Sequence, residues 1–196
     1  MGNNPTVRTV LSDQDIQRAI RRMAHELLER NDGAERLVLL GIPTRGLPLA
    51  HRLAAAIHAI EGAAVPCLAI DPAPHRDDLG RGADRSGRSP DRARPAPSGA
   101  PLDADQVSDR VVVLVDDVLH TGRTVRAAMD AVSAAGRPRA IRLAVLVDRG
   151  HRELPIRADH VGKNLPSAAD ERVQLRLAEP DGMDAVQILR EGEEAR

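Results

Sequence analysis

The run Val111-Val112-Val113-Leu114-Val115, followed at once by Asp116 and Asp117, constrains this chain more than any other segment. Consecutive β-branched residues disfavour helix, and a run with no polar position leaves no side for water. A strand of this kind is covered on both faces, which is the situation of a central strand in a parallel sheet with helices above and below. The segment after it supports that placement. Asp116 to Thr124 reads as a loop that opens a helix through Ala135, which Gly136 and Pro138 stop.

The same alternation recurs along the chain. After a short polar start, Ser12 with Asp15 forms a variant capping box, and Ile16, Ile20, Met23 and Leu27 recur at helical spacing up to Gly33. Leu37–Leu40 is a short strand, then comes the turn Gly41-Ile42-Pro43-Thr44-Arg45-Gly46 and a helix from about Pro48 to Ile60. A weaker strand spans Val65–Ile70, where Pro66 points to an edge or a late start. Ile141–Val147 is another buried strand, and shorter candidates lie near Arg157–Val161, Val173–Leu177 and Ala185–Leu189. The pattern predicts an α/β fold with a mostly parallel central sheet flanked by helices. Residues 71–106 are too polar and too rich in Pro, Gly and Arg to order themselves, and are expected to form a long mobile loop within one domain spanning 1–196.

Composition excludes several functions. The 196 residues include no Phe, Tyr or Trp, so no aromatic cage and no aromatic shelf for a stacked base can be built. Leu, Ile, Val, Ala and four Met must fill the core instead. A lone Cys67 cannot form an internal disulfide or a cysteine-rich zinc site, and no apolar run exceeds five residues, far below the roughly 18 a membrane span needs. These features imply a cytoplasmic protein with no membrane partner. The net charge of −1 makes binding of nucleic acid by overall charge a poor fit, so such a role needs a local patch. Lys163 is the only lysine among 28 basic residues, a bias that a GC-rich genome explains.

The chemistry concentrates after the apolar strand. In open α/β sheets ligands bind beyond the carboxyl ends of the strands. There the turn His120-Thr121-Gly122-Arg123-Thr124 offers backbone N–H groups and a helix N-terminus to a phosphate, with Gly122 free to take positive φ and two threonine hydroxyls at hand. Carboxylates beside a phosphate cradle are costly unless they meet hydroxyls or a metal; a ribose phosphate with Mg²⁺ on a neighbouring pyrophosphate supplies both. Neither a phosphate-loop NTPase pattern nor a dinucleotide Gly-x-Gly-x-x-Gly is present.

This segment resembles the phosphoribosyl-pyrophosphate (PRPP) motif of type I phosphoribosyltransferases. The likeness extends to His25-Glu26 with Glu29-Arg30-Asn31, to Gly41–Gly46, to Arg76-Asp77-Asp78-Leu79, and to Leu146–Asp159 running on through Val161-Gly162-Lys163-Asn164. Together these look like the PyrR family, regulators of the pyrimidine operon that are also uracil phosphoribosyltransferases. The resemblance covers nearly the whole chain except about 80–106 and the C-terminal tail, and it implies the type I fold with a small C-terminal hood.

What it implies for function is specific. PRPP and uracil would give UMP and pyrophosphate, with Mg²⁺ carried by PRPP and not by direct protein ligation. Asp116 and Asp117 would hold the ribose hydroxyls, and Val118, Leu119, His120, Thr121, Gly122, Arg123 and Thr124 the 5′-phosphate. Thr44 and Arg45 would take pyrophosphate, in a turn that in such enzymes strains a peptide bond to present its amides. Arg76 would close over the site. Uracil would meet Val147, Arg149, Val161 and Lys163, with Val173 as a further candidate. Leader mRNA of the pyrimidine operon would be bound, in response to UMP or UTP, by Arg22 and His25 of the first helix together with His151, Arg152 and Arg157. Helical spacing independently places Arg18, Arg22 and His25 on one polar face, although an arginine-rich face is also what a merely solvated helix presents. A homodimer or higher homo-oligomer is implied.

The chain departs from that family at His75, His120 and His160, where Tyr is usual, in the loop entry Asp71-Pro72-Ala73-Pro74, and in Leu165-Pro166-Ser167-Ala168 after Asn164. Two other readings therefore stand beside the bifunctional one. One is an RNA-binding attenuator with little or no turnover. The other is a phosphoribosyltransferase for another base.

Overall fold

The structure, a computed structural model, describes residues 6–75, 102–168 and 170–190. Its centre is a five-stranded parallel sheet in the order β3-β2-β4-β5-β6, made of β2 (Leu37–Gly41), β3 (Cys67–Ala69), β4 (Val111–Leu119), β5 (Ala140–Asp148) and β6 (His160–Asn164). β4 lies in the middle, as its composition requires. Side-chain alternation divides its apolar run between two cores. Val111, Val113 and Val115 pack with α1 (Asp13–Asn31) and α2 (Gly46–Glu61), whereas Val112 and Leu114 pack with α4 (Arg123–Ala135) and with Val107 of the short α3 (Ala104–Val107).

α1 starts where the capping box predicts. The Asp15 amide bonds the Ser12 hydroxyl at 3.4 Å, and the Ser12 amide donates to Asp15 Oδ2 at 2.9 Å. Its closure differs by one residue, because Asp32 takes the left-handed conformation (φ 57°) just before Gly33 (φ 105°). α2 begins at Gly46, two residues before Pro48, so Pro48 still falls among the first residues, whose N–H groups have no helical partner.

Three expectations change. β4 runs on to Leu119, so Asp116 and Asp117 belong to the strand and not to the loop after it; Asp116 and Val118 stay in register with Val145 and Val147 of β5, which is equally long. The polar start contains β1 (Thr6–Leu11), paired antiparallel with β8 (Ala185–Arg190), which in turn pairs with β7 (Glu171–Arg176). The hood is therefore built from both ends of the chain, and β1 was missed because only pairing to a segment some 180 residues away orders it. Last, the 71–106 stretch is structured at both margins. Ala73–His75 is a 3₁₀ turn, and α3, capped by Asp103 and Gln106, buries Val107 completely. The short α5 (Ala178–Asp181) links β7 to β8.

Burial leaves one titratable group poorly served. His160, at the start of β6, is 2% exposed, and neither ring nitrogen has a hydrogen-bond partner among the described residues; Nδ1 stands 3.6 Å from Glu26 Oε2, outside bonding range. Burial lowers the His160 pKa below the ordinary imidazole value, against the opposing pull of Glu26 and Asp159, while Arg30 adds to the lowering. The unfolded chain therefore takes up this proton at about pH 6.5 while the folded chain does not, so stability is full above that pH and is lost as pH falls through and below it. The melting midpoint is expected to decline between about pH 7 and pH 5.5, and the decline to be shallower in His160→Gln; equal slopes in the two proteins would refute this.

Candidate active site

The sheet register brings the expected ligand-binding segments to one edge. Val118 of β4, Val147 of β5 and Lys163 of β6 are paired partners across three strands, and Leu119, Asp148 and Asn164 form the next row. The phosphate turn leaves β4 beyond this row. Gly122 there has φ 91°, the left-handed conformation expected of it, and is the residue from which α4 departs. The Thr121 hydroxyl accepts from the Arg123 amide at 3.4 Å, and the Arg123 Nε donates to Glu153 Oε2 at 2.7 Å.

On the other side of β4 stands the turn from Gly41 to Gly46. Gly41 is paired with Val115, the Ile42 amide donates to the Val115 carbonyl at 2.9 Å, and the Pro43–Thr44 peptide is cis. Gly46 lies so close that a Cβ on it would come within 2.4 Å of the Val115 carbonyl and 3.3 Å of the Asp116 Cα. Only glycine allows that approach. Thr44 is exposed at the tip of the turn.

Between the two turns are the carboxylates. Asp116 is 8% exposed and Asp117 half-buried, and as neighbours in a strand they face opposite sides of the sheet. Asp116 Oδ1 accepts the Asp117 amide at 2.9 Å, and Asp117 Oδ1 accepts the Val118 amide at 2.7 Å, which fixes both side chains. Asp117 is also one of the charges that stabilise protonated Arg45.

Arg45 is brought to the site already paired. Its Nε and Nη2 donate to Asp181 of α5 at 2.9 and 2.7 Å, which raises the Arg45 pKa and lowers that of Asp181. Arg52, one helical face further along α2, takes Glu179 and Asp184 in the same way. The acidic corner of the hood is thus held to the helix that follows the Gly41–Gly46 turn. Partners 136 residues apart leave no trace in local spacing, so this contact was not legible beforehand.

The residues expected at the base and on RNA divide into two groups. Val147 is buried in the ladder, Val161 is partly buried and Lys163 is exposed. Arg149 is 8% exposed, and its guanidinium ties the end of β5 to Ser167, Ala168 and Glu171; Val173 lies in β7 of the hood, also buried. Burial lowers the Arg149 pKa, and the nearby Glu171 opposes that. Arg22 donates to the Val161 and Gly162 carbonyls at 2.9 and 2.7 Å, and so fastens α1 to β6. His151 Nε2 lies 2.6 Å from the Ser167 carbonyl, and Arg152 is engaged on five internal acceptors. His25 and Arg157 are exposed with no bonded partner among the described residues. Arg30 of α1 pairs with Asp159, two residues after Arg157, at 3.2 Å. Arg76 lies outside the described residues.

His120 packs edge-on against His151 with ring centres 6.2 Å apart. Desolvation, then Arg149 and His151, lower its pKa, so the turn carries a neutral imidazole near pH 7. The site therefore offers the turn expected to hold a phosphate, two strand carboxylates, a second turn with an arginine, and a row of strand-end groups. No described helix is long and apolar enough to cross a membrane.

Comparison with known proteins gives this geometry its family. The phosphoribosyl transferase domain family matches residues 6–176. The Bifunctional protein PyrR of Leifsonia xyli is 56% identical over 186 residues, covering 92% of this chain and 96% of that protein. The protein of the same name from Deinococcus radiodurans is 53% identical over 92% of this chain and 93% of its own length, and that of Chloroflexus aurantiacus is 52% identical over 97% of each. Among solved structures, an HGPRT-ase from Leishmania tarentolae in complex with GMP aligns over 94% of this chain and 97% of its own with a TM-score of 0.66, at 19% identity, a likeness of fold. The chain belongs to the PyrR family of type I phosphoribosyltransferases, the pyrimidine-operon regulators with uracil phosphoribosyltransferase activity that its motifs resemble.

Proposed function

We propose that the chain works as a single cytoplasmic phosphoribosyltransferase domain that joins uracil to PRPP at this site, and that as a homodimer or higher homo-oligomer it binds pyrimidine-operon leader mRNA in response to UMP or UTP. The observation that carries the reading is the register of β4, β5 and β6, which sets the phosphate turn level with the base-binding strand ends while the Gly41–Gly46 turn abuts the same strand. Substrates made and used inside the cell support the cytoplasmic placement.

In the reaction the bond from ribose C1 to pyrophosphate breaks, uracil N1 bonds to C1, and the N1 proton leaves. The work of the protein is positioning and charge compensation. Turn amides at Leu119–Thr124 anchor the 5′-phosphate. Asp117, with Asp116 behind it, accepts from the ribose hydroxyls and faces the positive charge that develops at C1. Thr44 and Arg45 receive pyrophosphate. The hard carboxylate oxygens of Asp117, on the side of β4 that meets Arg45, suit Mg²⁺ held through water, and the ion, when bound with PRPP, would neutralise the departing pyrophosphate. Backbone groups at Val147 and Val161–Lys163 read the uracil edge.

Release of pyrophosphate that requires both uracil and PRPP is the deciding assay; its absence at saturating PRPP would leave an attenuator without turnover, and release with hypoxanthine or orotate instead would indicate another base. For RNA, gel-shift affinity for the leader should weaken in Arg157→Ala with UMP synthesis unchanged, and equal binding would remove that surface. Because Asp181 occupies the two Arg45 donors that pyrophosphate would use, Asp181→Asn is expected to strengthen product inhibition by pyrophosphate about threefold, read from initial rates with added pyrophosphate. Unchanged inhibition would show that Arg45 does not meet the leaving group.

A further inference from the structure

Arg152 invites the reading of an RNA contact, but its surroundings point elsewhere. A phosphate turn presents its N–H groups inward, so its carbonyls must face outward and find other partners. Here the segment after β5 supplies those of Leu119, His120 and Thr121, and the Gly122 carbonyl accepts from the Arg126 amide of α4. The Leu119 carbonyl accepts from the Arg149 amide at 3.2 Å, and the Thr121 carbonyl from the amides of Glu153 and Leu154 at 3.1 and 3.2 Å. The carbonyl between them, His120, is met by a side chain, Arg152 Nη1 at 2.9 Å. The remaining donors of that guanidinium go to the carbonyls of Ile156 at 2.9 Å and Gly150 at 3.1 Å, with Leu119 at 3.4 Å, and to Asp148 Oδ2 at 2.5 Å. Asp148 in turn accepts the Gly150 amide through Oδ1 at 2.9 Å. The Arg152 side chain is 21% exposed, and each of its three guanidinium nitrogens is engaged on the chain itself.

We infer that Arg152 is a positioning residue for the 5′-phosphate turn, tying it to the end of β5 and so setting the phosphate and base subsites at a fixed distance. The inference rests on the reading of His120–Thr124 as the phosphate site. A guanidinium suits the position because a planar fork can serve acceptors on three chain segments at once, which an ammonium cannot. Removing it leaves the His120 carbonyl and the Asp148 carboxylate without their partner, so the turn loses its outer support while the base-binding backbone keeps its ladder.

The test compares UMP with uridine, which lacks the phosphate, by titration calorimetry, since a chain without Trp or Tyr has no useful intrinsic fluorescence. In Arg152→Ala the affinity for UMP should fall about tenfold and that for uridine less than about twofold, with the KM for PRPP rising in parallel. Arg152→Lys, which keeps the charge, should recover only part of the UMP affinity, and it carries the test if Arg152→Ala does not fold. A folded variant that binds UMP as tightly as the wild type overturns the role of Arg152. A wild type that does not prefer UMP to uridine overturns the phosphate-turn reading itself, and the inference with it.

Discussion

Asp117→Ala should reduce UMP synthesis by at least about a hundredfold while the protein stays folded, because it removes the half-buried carboxylate proposed to face the reacting ribose. The structure separates this residue from its neighbour. Asp116 is 8% exposed, whereas Asp117 lies on the side of β4 that meets the Gly41–Gly46 turn and contributes to holding Arg45 protonated. A carboxylate placed before the substrate arrives need not be reoriented as positive charge builds at C1, which is why its loss is expected in kcat as much as in KM. Asp117→Asn keeps the shape and an acceptor oxygen and should recover substrate binding better than turnover. Pyrophosphate release and thermal melting, measured side by side, check the prediction; an active Asp117→Ala protein would place the ribose elsewhere.

Gly46→Ala should damage both stability and activity. The added Cβ would stand 2.4 Å from the Val115 carbonyl, and that atom is backbone in the central strand, unable to move aside as a side chain would. Overpacking of this kind costs about 1–3 kcal/mol, which at this chain length lowers the melting midpoint by roughly 2–12 °C. The relief available to the molecule is to push α2 and the preceding turn away from β4. That displacement separates Thr44 and Arg45 from Asp117, and a shift near 1 Å at a reacting centre costs on the order of a hundredfold in rate. Calorimetric melting and kcat/KM for PRPP measure the two consequences. A variant with wild-type values for both would mean that the turn does not depend on its contact with β4.

Much of this arrangement is visible from local pattern. The five apolar residues 111–115 identify the central strand, the Ser12/Asp15 box starts α1 at the right residue, and Gly122 marks the left-handed position of the phosphate turn. These are signals that act over a few residues, through steric preference and capping, and they need no tertiary partner. β1 carried no such signal, because its ordering comes from pairing with β8. The strand boundary at Asp116 was misplaced for a related reason: a carboxylate normally ends a strand, and only the equally long β5 beside it keeps the ladder going.

The arginines show the same division. The family resemblance suggested Arg22, Arg45 and Arg152 as contacts for anionic ligands, and each also bonds another part of the chain: β6, the hood carboxylate Asp181, and the carbonyls of the turn after β4. A guanidinium has five donors and no preference between phosphate, carboxylate and carbonyl oxygen, so its employment depends on which acceptors the fold brings within reach. What the sequence by itself determined is the parallel α/β core and the family to which the chain belongs. How Arg45 is engaged within the chain, and that β1 and β8 pair in the hood, only the tertiary structure decided, because those outcomes depend on contacts between segments more than a hundred residues apart.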